Sequence, residues 1–257
     1  MARLFQILGV AAAFFVGAFA GNFYHLVVRR GSGGRFHVTL PPACPSCGRA
    51  ERRIWMLPIL WYPLLRGRCP GCGFRYHKNL VLLEAAGGAV AALAFYYYGF
   101  SFAFATTFAF CFFLLLNYWV DFRYGVLVPQ LYLPALAAGL GLSFLPGPPT
   151  PAGALAGGVV GGGLLLAARP GRGLFSENTR GAERQLACVA LAGVFLGWQS
   201  ALFVLAAAAV AALVLPLVAR RVFGGDPETA FGFAVLAASL ALAFYRADIA
   251  SWYFRIR

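Results

Sequence analysis

Apolar residues in this chain fall into long blocks, and polar residues gather in the gaps between them. Leu4–Val28, Leu80–Tyr98, Phe102–Val120, Val128–Leu145 and Pro151–Ala168 are apolar over most of their lengths. A helix that crosses a bilayer needs about 20 such residues, within a range of about 17–25, so each block reads as one span. Leu186–Val218 is too long for one relaxed span and carries Gly197, Trp198, Gln199 and Ser200 near its middle. Two crossings that turn there keep Arg184 and Arg220 on one side, which a single crossing would not. Ala230–Tyr245 completes the set. The pattern predicts an all-α polytopic membrane protein of about eight transmembrane helices. Residues 1–28 hold the first helix, 29–79 a small water-facing module, and 80–257 a helical bundle.

Composition agrees with that pattern. The chain is 61% hydrophobic and 11% charged, whereas soluble domains run at about 45–50% and about 25%. An ordinary soluble enzyme, a disordered tail and a secreted disulfide miniprotein are all excluded. The 31 glycines and long Ala/Leu/Val runs suit membrane helices packed backbone against backbone.

The net charge of +13 would fit a nucleic-acid partner, but its placement does not. Ten of the 21 cations lie between Arg29 and Lys78, and others cluster at Arg169–Arg184 and at Arg220–Arg221. The intervening turns Tyr97–Ser101, Leu145–Pro151 and Gly197–Ser200 carry no charge. Alternating basic and bare loops follow the positive-inside rule, putting the basic loops in the cytoplasm and both termini outside. No nucleic-acid partner is expected, because aromatic residues do not interleave with the cations outside the membrane segments. The first block also reads as a signal peptide, with Ala18-Phe19-Ala20 resembling a cleavage site. Cleavage would strand the most basic stretch outside the cell, so the charges favour an uncleaved helix.

Within residues 29–79 stand Cys44-Pro45-Ser46-Cys47 and Cys69-Pro70-Gly71-Cys72, each pair followed by a glycine, Gly48 or Gly73. Paired knuckles of this form bring four thiolates into the tetrahedral arrangement that structural zinc takes. Redox pairs or unligated thiols are the other readings, and a cytoplasmic location favours metal over disulfides. Cys111 and Cys188 lie inside apolar spans and read as small buried hydrophobes.

The chain has eight acidic residues. Glu84, Asp121 and Glu183 fall inside or at the rim of apolar blocks, where a carboxylate is a functional candidate because its desolvation must be offset. Asp121 ends the third span and Glu183 opens the sixth on the same side, so the two can meet across a bundle. Two facing carboxylates, one ionised and one protonated, activate water. The competing reading is ion pairing with Arg123 and Arg184. The three histidines show no metalloprotease spacing, and neither a G-x-S-x-G elbow nor a P-loop is present.

These features together resemble the type IV prepilin peptidases, membrane aspartic proteases that trim leader peptides from prepilins and pseudopilins. Gly21-Asn22-Phe23-Tyr24-His25-Leu26-Val27-Val28-Arg29-Arg30 is similar to the family's first-helix signature, and the two knuckles to its zinc module. Leu83-Glu84 with Gly87, Asp121 with Val128-Pro129, Leu196-Gly197-Trp198-Gln199 and Phe231-Gly232-Phe233 resemble further family signatures in order. Gln130 stands where the family has the Asp of Pro-Asp, and the family's G-x-G-D is replaced by Thr179-Arg180-Gly181-Ala182-Glu183-Arg184-Gln185. An ungapped count from Gly193 and Gly197 puts Gln185 at the second aspartate position. A slide of two residues puts Glu183 there.

The resemblance implies Asp121 and Glu183 as catalytic acids and Cys44, Cys47, Cys69 and Cys72 as zinc ligands. It further implies a prepilin substrate, residence in the bacterial inner membrane, and N-methylation of the new terminus with S-adenosylmethionine. Two rivals stand beside it. One is a non-catalytic homologue that binds prepilins or assembly partners; the other is a transporter using Asp121 and Glu84 as intramembrane charges.

Overall fold

A computed structural model describes residues 2–27, 29–30, 36–37, 44, 46–49, 57–125, 127–147, 149–167, 181–207, 209–210 and 232–245. Helix α1 (Ala2–Val27) is followed by a two-residue antiparallel ladder of β1 (Arg29–Arg30) and β2 (Phe36–His37), a short departure from an all-helical chain. Then come a single turn, α2 (Trp61–Leu64), and the helices α3 (Asn79–Tyr98), α4 (Phe102–Tyr124), α5 (Pro129–Leu142), α6 (Pro151–Ala167) and α7 (Gly181–Leu196). Two further apolar helices are α8 (Trp198–Ala207) and α9 (Gly232–Tyr245).

Among the described residues, three stretches are long and apolar enough to cross a membrane, namely Arg3–Asn22, Leu80–Tyr98 and Phe102–Asp121. The other helices are shorter, with α6 at 17 residues and α5 at 14. The long block Leu186–Val218 does break at Gly197, between α7 and α8. Its far end, the basic stretches 169–180 and 220–221, and the C-terminal tail lie outside the described residues.

The chain divides into two compact units, Met1–Phe100 and Ser101–Arg257. In the first, α1 and α3 meet along glycines. A Cβ added at Gly87 would come within 2.7 Å of the Gly17 carbonyl oxygen, and one at Gly21 within 2.8 Å of the Glu84 Cα. Backbones this close leave no room for side chains, so van der Waals contact between the main chains holds the pair. The opposite face of α1 exposes Leu4, Phe5, Ile7, Leu8, Phe15, Val16 and Phe19, the surface a lipid-facing helix presents.

In the second unit α7 is the core. Ala187, Cys188, Val189, Ala190, Leu191, Ala192, Val194 and Phe195 are all buried, and a helix apolar on every side must be enclosed. Phe195 packs on Phe110 of α4 with ring centroids 5.5 Å apart, and the Tyr132 hydroxyl of α5 donates to the Ala187 carbonyl at 3.2 Å. Against α6 the contact is again glycine on glycine, at Gly157 and Gly193, with Gly161 beside Ala190. Ser101 caps α4 by accepting from the Phe104 N–H at 3.2 Å, and Gly125 ends it in the left-handed conformation at φ +64°. That ending leaves Asp121 in the last turn of α4.

Candidate active site and metal centre

The two cysteine pairs fold alike. The Cys44 N–H donates to the Arg49 carbonyl and the Gly48 N–H to the Cys44 carbonyl, both at 2.9 Å. The Cys69 N–H donates to the Phe74 carbonyl at 2.8 Å and the Gly73 N–H to the Cys69 carbonyl at 2.9 Å. Both turns need a residue at positive φ, supplied by Gly48 at +67° and Gly73 at +73°. The four sulfurs lie within 4.8 Å of one another, with Cys44 and Cys72 at 3.7 Å and Cys47 and Cys69 at 4.0 Å. A tetrahedron of sulfurs at about 2.3 Å from zinc has edges of about 3.8 Å, so the donor set fits a four-sulfur metal.

Electrostatics point the same way. Burial pushes the Cys44 thiol up, but the Cys47 and Ser46 backbone and the Tyr76 side chain outweigh it and hold it at about 6. At Cys47 the Arg49 backbone lowers the value, yet burial and the sulfurs of Cys72, Cys44 and Cys69 push it to about 11. The Cys44 thiolate is favoured at the expense of Cys47, and a bound cation would relieve that competition. With four sulfur ligands no coordination position stays open for water, so a metal here would support the fold.

The module rests on a small core of Cys44, Trp61, Cys69 and Tyr76, joined by Leu80 from the start of α3. Glu84, one turn further along α3, is fully buried. Its Oε1 accepts from the Trp61 indole N–H at 2.8 Å and its Oε2 from the Ile59 N–H at 2.5 Å. Glu84, taken from sequence as an intramembrane charge, thus ties the module to α3.

Asp121 lies in different surroundings. One oxygen, Oδ1, is ion-paired with the Arg184 Nε, and Oδ2 accepts from the Gln185 Nε2 at 2.6 Å. A carboxylate only accepts, which fixes the Gln185 amide with its nitrogen toward Asp121. The C-terminal end of α4 is unfavourable for an anion, but the N-terminal turns of α7 and the guanidinium offset it. Gln185 is buried, and its Oε1 meets no donor among the described residues. Gly232, at the start of α9, makes room for this amide, since a Cβ there would stand 2.7 Å from the Gln185 Nε2.

Of the residues that compete for the position facing Asp121, Gln185 is the one whose described side chain meets it. Glu183 lies on the backbone of α7, and its side chain is outside the described residues, as is that of Arg123. Sequence reasoning set Arg123 and Arg184 beside Asp121 and Glu183 as their chain neighbours, so it missed Arg184 as a partner of Asp121, and it missed Gly232 as the residue packed on the Gln185 amide. The ungapped count from Gly193 was the available signal for Gln185.

Residues 15–98 match the bacterial peptidase A24 N-terminal domain, from the middle of α1 through both knuckles to the end of α3. The chain is 35% identical over 190 residues to a prepilin leader peptidase/N-methyltransferase of Burkholderia pseudomallei strain 1026b, covering 72% of this chain and 60% of that protein. It is 26% identical over 193 residues to the protein of the same name from Myxococcus xanthus strain DK1622, covering 75% of this chain and 57% of that protein. These matches make the chain similar to prepilin leader peptidase/N-methyltransferases, with the peptidase A24 N-terminal domain carried by residues 15–98. The chain spans about 60% of the length of the curated relatives it matches first. No solved structure matches it.

Proposed function

We propose that this chain is a prepilin leader peptidase of the bacterial inner membrane. It crosses about eight times, with its basic loops and cysteine module in the cytoplasm, as the charge alternation supports. The substrate is a type IV prepilin or pseudopilin, whose basic leader meets the membrane rim while its hydrophobic helix lies in the bilayer. Zinc held by Cys44, Cys47, Cys69 and Cys72 supports the module, and the relatives' names support N-methylation of the new terminus from S-adenosylmethionine.

The observation that carries this reading is the junction of Asp121 with the first turns of α7 in a chain related to these enzymes. Asp121 takes the proton of the attacking water, and the second catalytic group comes from α7, where Glu183 and Gln185 both lie. Leader cleavage leaves no covalent link to the protein.

Gln185 at Asp121 also favours a second reading, a homologue that binds prepilins without cutting them. Co-expression with a prepilin, followed by mass spectrometry of the pilin N-terminus, tests both. Loss of the leader with the wild-type chain, absent with Asp121→Asn, supports the peptidase. An intact leader in both, with the prepilin co-purifying, supports the binder. A further gain of one methyl group on the cleaved terminus tests the transferase.

A further inference from the structure

We infer that Gln185 is a catalytic residue, and that peptide hydrolysis here runs on one carboxylate and one carboxamide, Asp121 and Gln185. The inference rests on the peptidase reading above. A pair of acidic groups divides the work into a base that activates water and an acid that polarises the scissile carbonyl. Gln185 cannot supply a proton, but its Nε2–H is a donor fixed at the site, 2.6 Å from the carboxylate it faces. Side-chain amides serve as oxyanion donors when they are held in place before the reaction, and such a donor is worth about 10²–10³ in kcat.

Three features suit Gln185 to that task. It is buried in a core helix, so its position is set by packing. Gly232 packs closely on the amide, where any Cβ would stand 2.7 Å from the Nε2, and so helps hold the amide in one orientation. Its Oε1, buried and unmatched among the described residues, offers an acceptor for a substrate N–H or for the attacking water. An orphaned buried acceptor is costly, at about 1–3 kcal/mol, and a catalytic role is one of the few reasons such a group persists.

The chemistry balances. Asp121 removes one proton from water as the water oxygen bonds to the scissile carbon. The carbonyl electrons move to oxygen, and the resulting oxyanion accepts from the Gln185 Nε2–H. Collapse of this intermediate re-forms the C=O bond and breaks C–N, and the proton on Asp121 passes to the leaving nitrogen. Water is the co-reactant, and the products are a carboxylic acid and a free amine. Arg184 must release Oδ1 for Asp121 to act as base, so it governs the resting state. Among the described residues, the charged and titratable side chains facing Asp121 include Arg184 and Cys188 of α7 and Tyr118 of α4.

The test uses the full chain in detergent with a prepilin carrying a basic leader that ends in glycine. Steady-state cleavage is compared for wild type, Gln185→Ala, Gln185→Glu, Gln185→Asp and Glu183→Gln, with thermal unfolding as a check of folding. Gln185→Ala is expected to lose about 10²–10³ in kcat while KM stays within about twofold. Gln185→Glu, which makes a carboxylate pair, is expected to gain an alkaline fall-off in its pH profile that wild type lacks, because one acid must then stay protonated. A folded Gln185→Ala that cleaves like wild type, with the loss falling on Glu183→Gln, overturns the inference and leaves the peptidase reading intact. Wild type inert and Gln185→Asp active overturns the inference and turns the reading to the non-cleaving homologue. No cleavage by any folded variant overturns both.

Discussion

Glu84 and Asp121 are both carboxylates set in apolar helices within two turns of an end, and each has both oxygens hydrogen-bonded. Their donors differ. Glu84 receives a backbone N–H and an indole N–H from Ile59 and Trp61, groups that cannot leave without unfolding the segment that carries them. Asp121 receives two side chains, Arg184 and Gln185, which can rotate away or turn to a ligand. Glu84 is fully buried, whereas the Asp121 side chain keeps 10% of its surface exposed. A carboxylate with rigid donors is a fastener. One held by exchangeable donors beside an unmatched amide oxygen is suited to chemistry.

The largest effect expected is on the fastened side. Chelation of the metal, or Cys69→Ser, should unfold the cysteine module, since structural zinc contributes about 10–16 kcal/mol in small zinc-binding peptides. Metal analysis with limited proteolysis checks this, and a module that resists protease after losing its metal would show that the Trp61 core suffices. Acid should mimic the chelator. Metal binding needs thiolates, so affinity falls as pH drops, and steeply once Cys44 itself is protonated below about 6.

Next comes Asp121→Asn. Removing the base should lower cleavage by about 10²–10⁴, an effect larger than its cost in stability, since Asn keeps the shape but offers only one acceptor to Arg184 and Gln185. Glu84→Ala should do the reverse. It strands two buried donors at about 1–3 kcal/mol each, lowering stability while the folded fraction still cleaves. If Asp121→Asn were the more destabilising of the two and Glu84→Ala abolished cleavage in folded protein, the assignment of the two roles would be inverted. The smallest effect expected is Gly87→Ala, which forces α3 off α1 and should cost about 1–3 kcal/mol as overpacking. Thermal unfolding in detergent reads both.

Much of this was legible in the chain. The knuckles announced themselves because the turn needs Cys, two residues, Cys and then glycine, a local requirement written in adjacent letters. The helix α4 and Asp121 near its end followed from hydropathy. The break at Gly197 followed from the length of its block. What faces Asp121 was legible only through the count back from Gly193, because it depends on how far α7 slides along α4, and no short-range pattern encodes that. Glu183 and Gln185 are two residues apart on one helix and so point about 200° apart. Only packing chooses between them. Glu84 was ambiguous for a similar reason, since its partners Ile59 and Trp61 lie 25 and 23 residues away.

The seam between Gly157 and Gly193 acts as an alignment key for a site it does not touch. Gln185 lies eight residues before Gly193, about 12 Å along the helix axis. With main chains in contact at the key, α7 has almost no longitudinal play. A slip of a single residue would move Gln185 by about 1.5 Å and swing it through about 100°, away from Asp121. The tolerance of the chemistry is therefore machined two helical turns away, by residues that have no side chains at all.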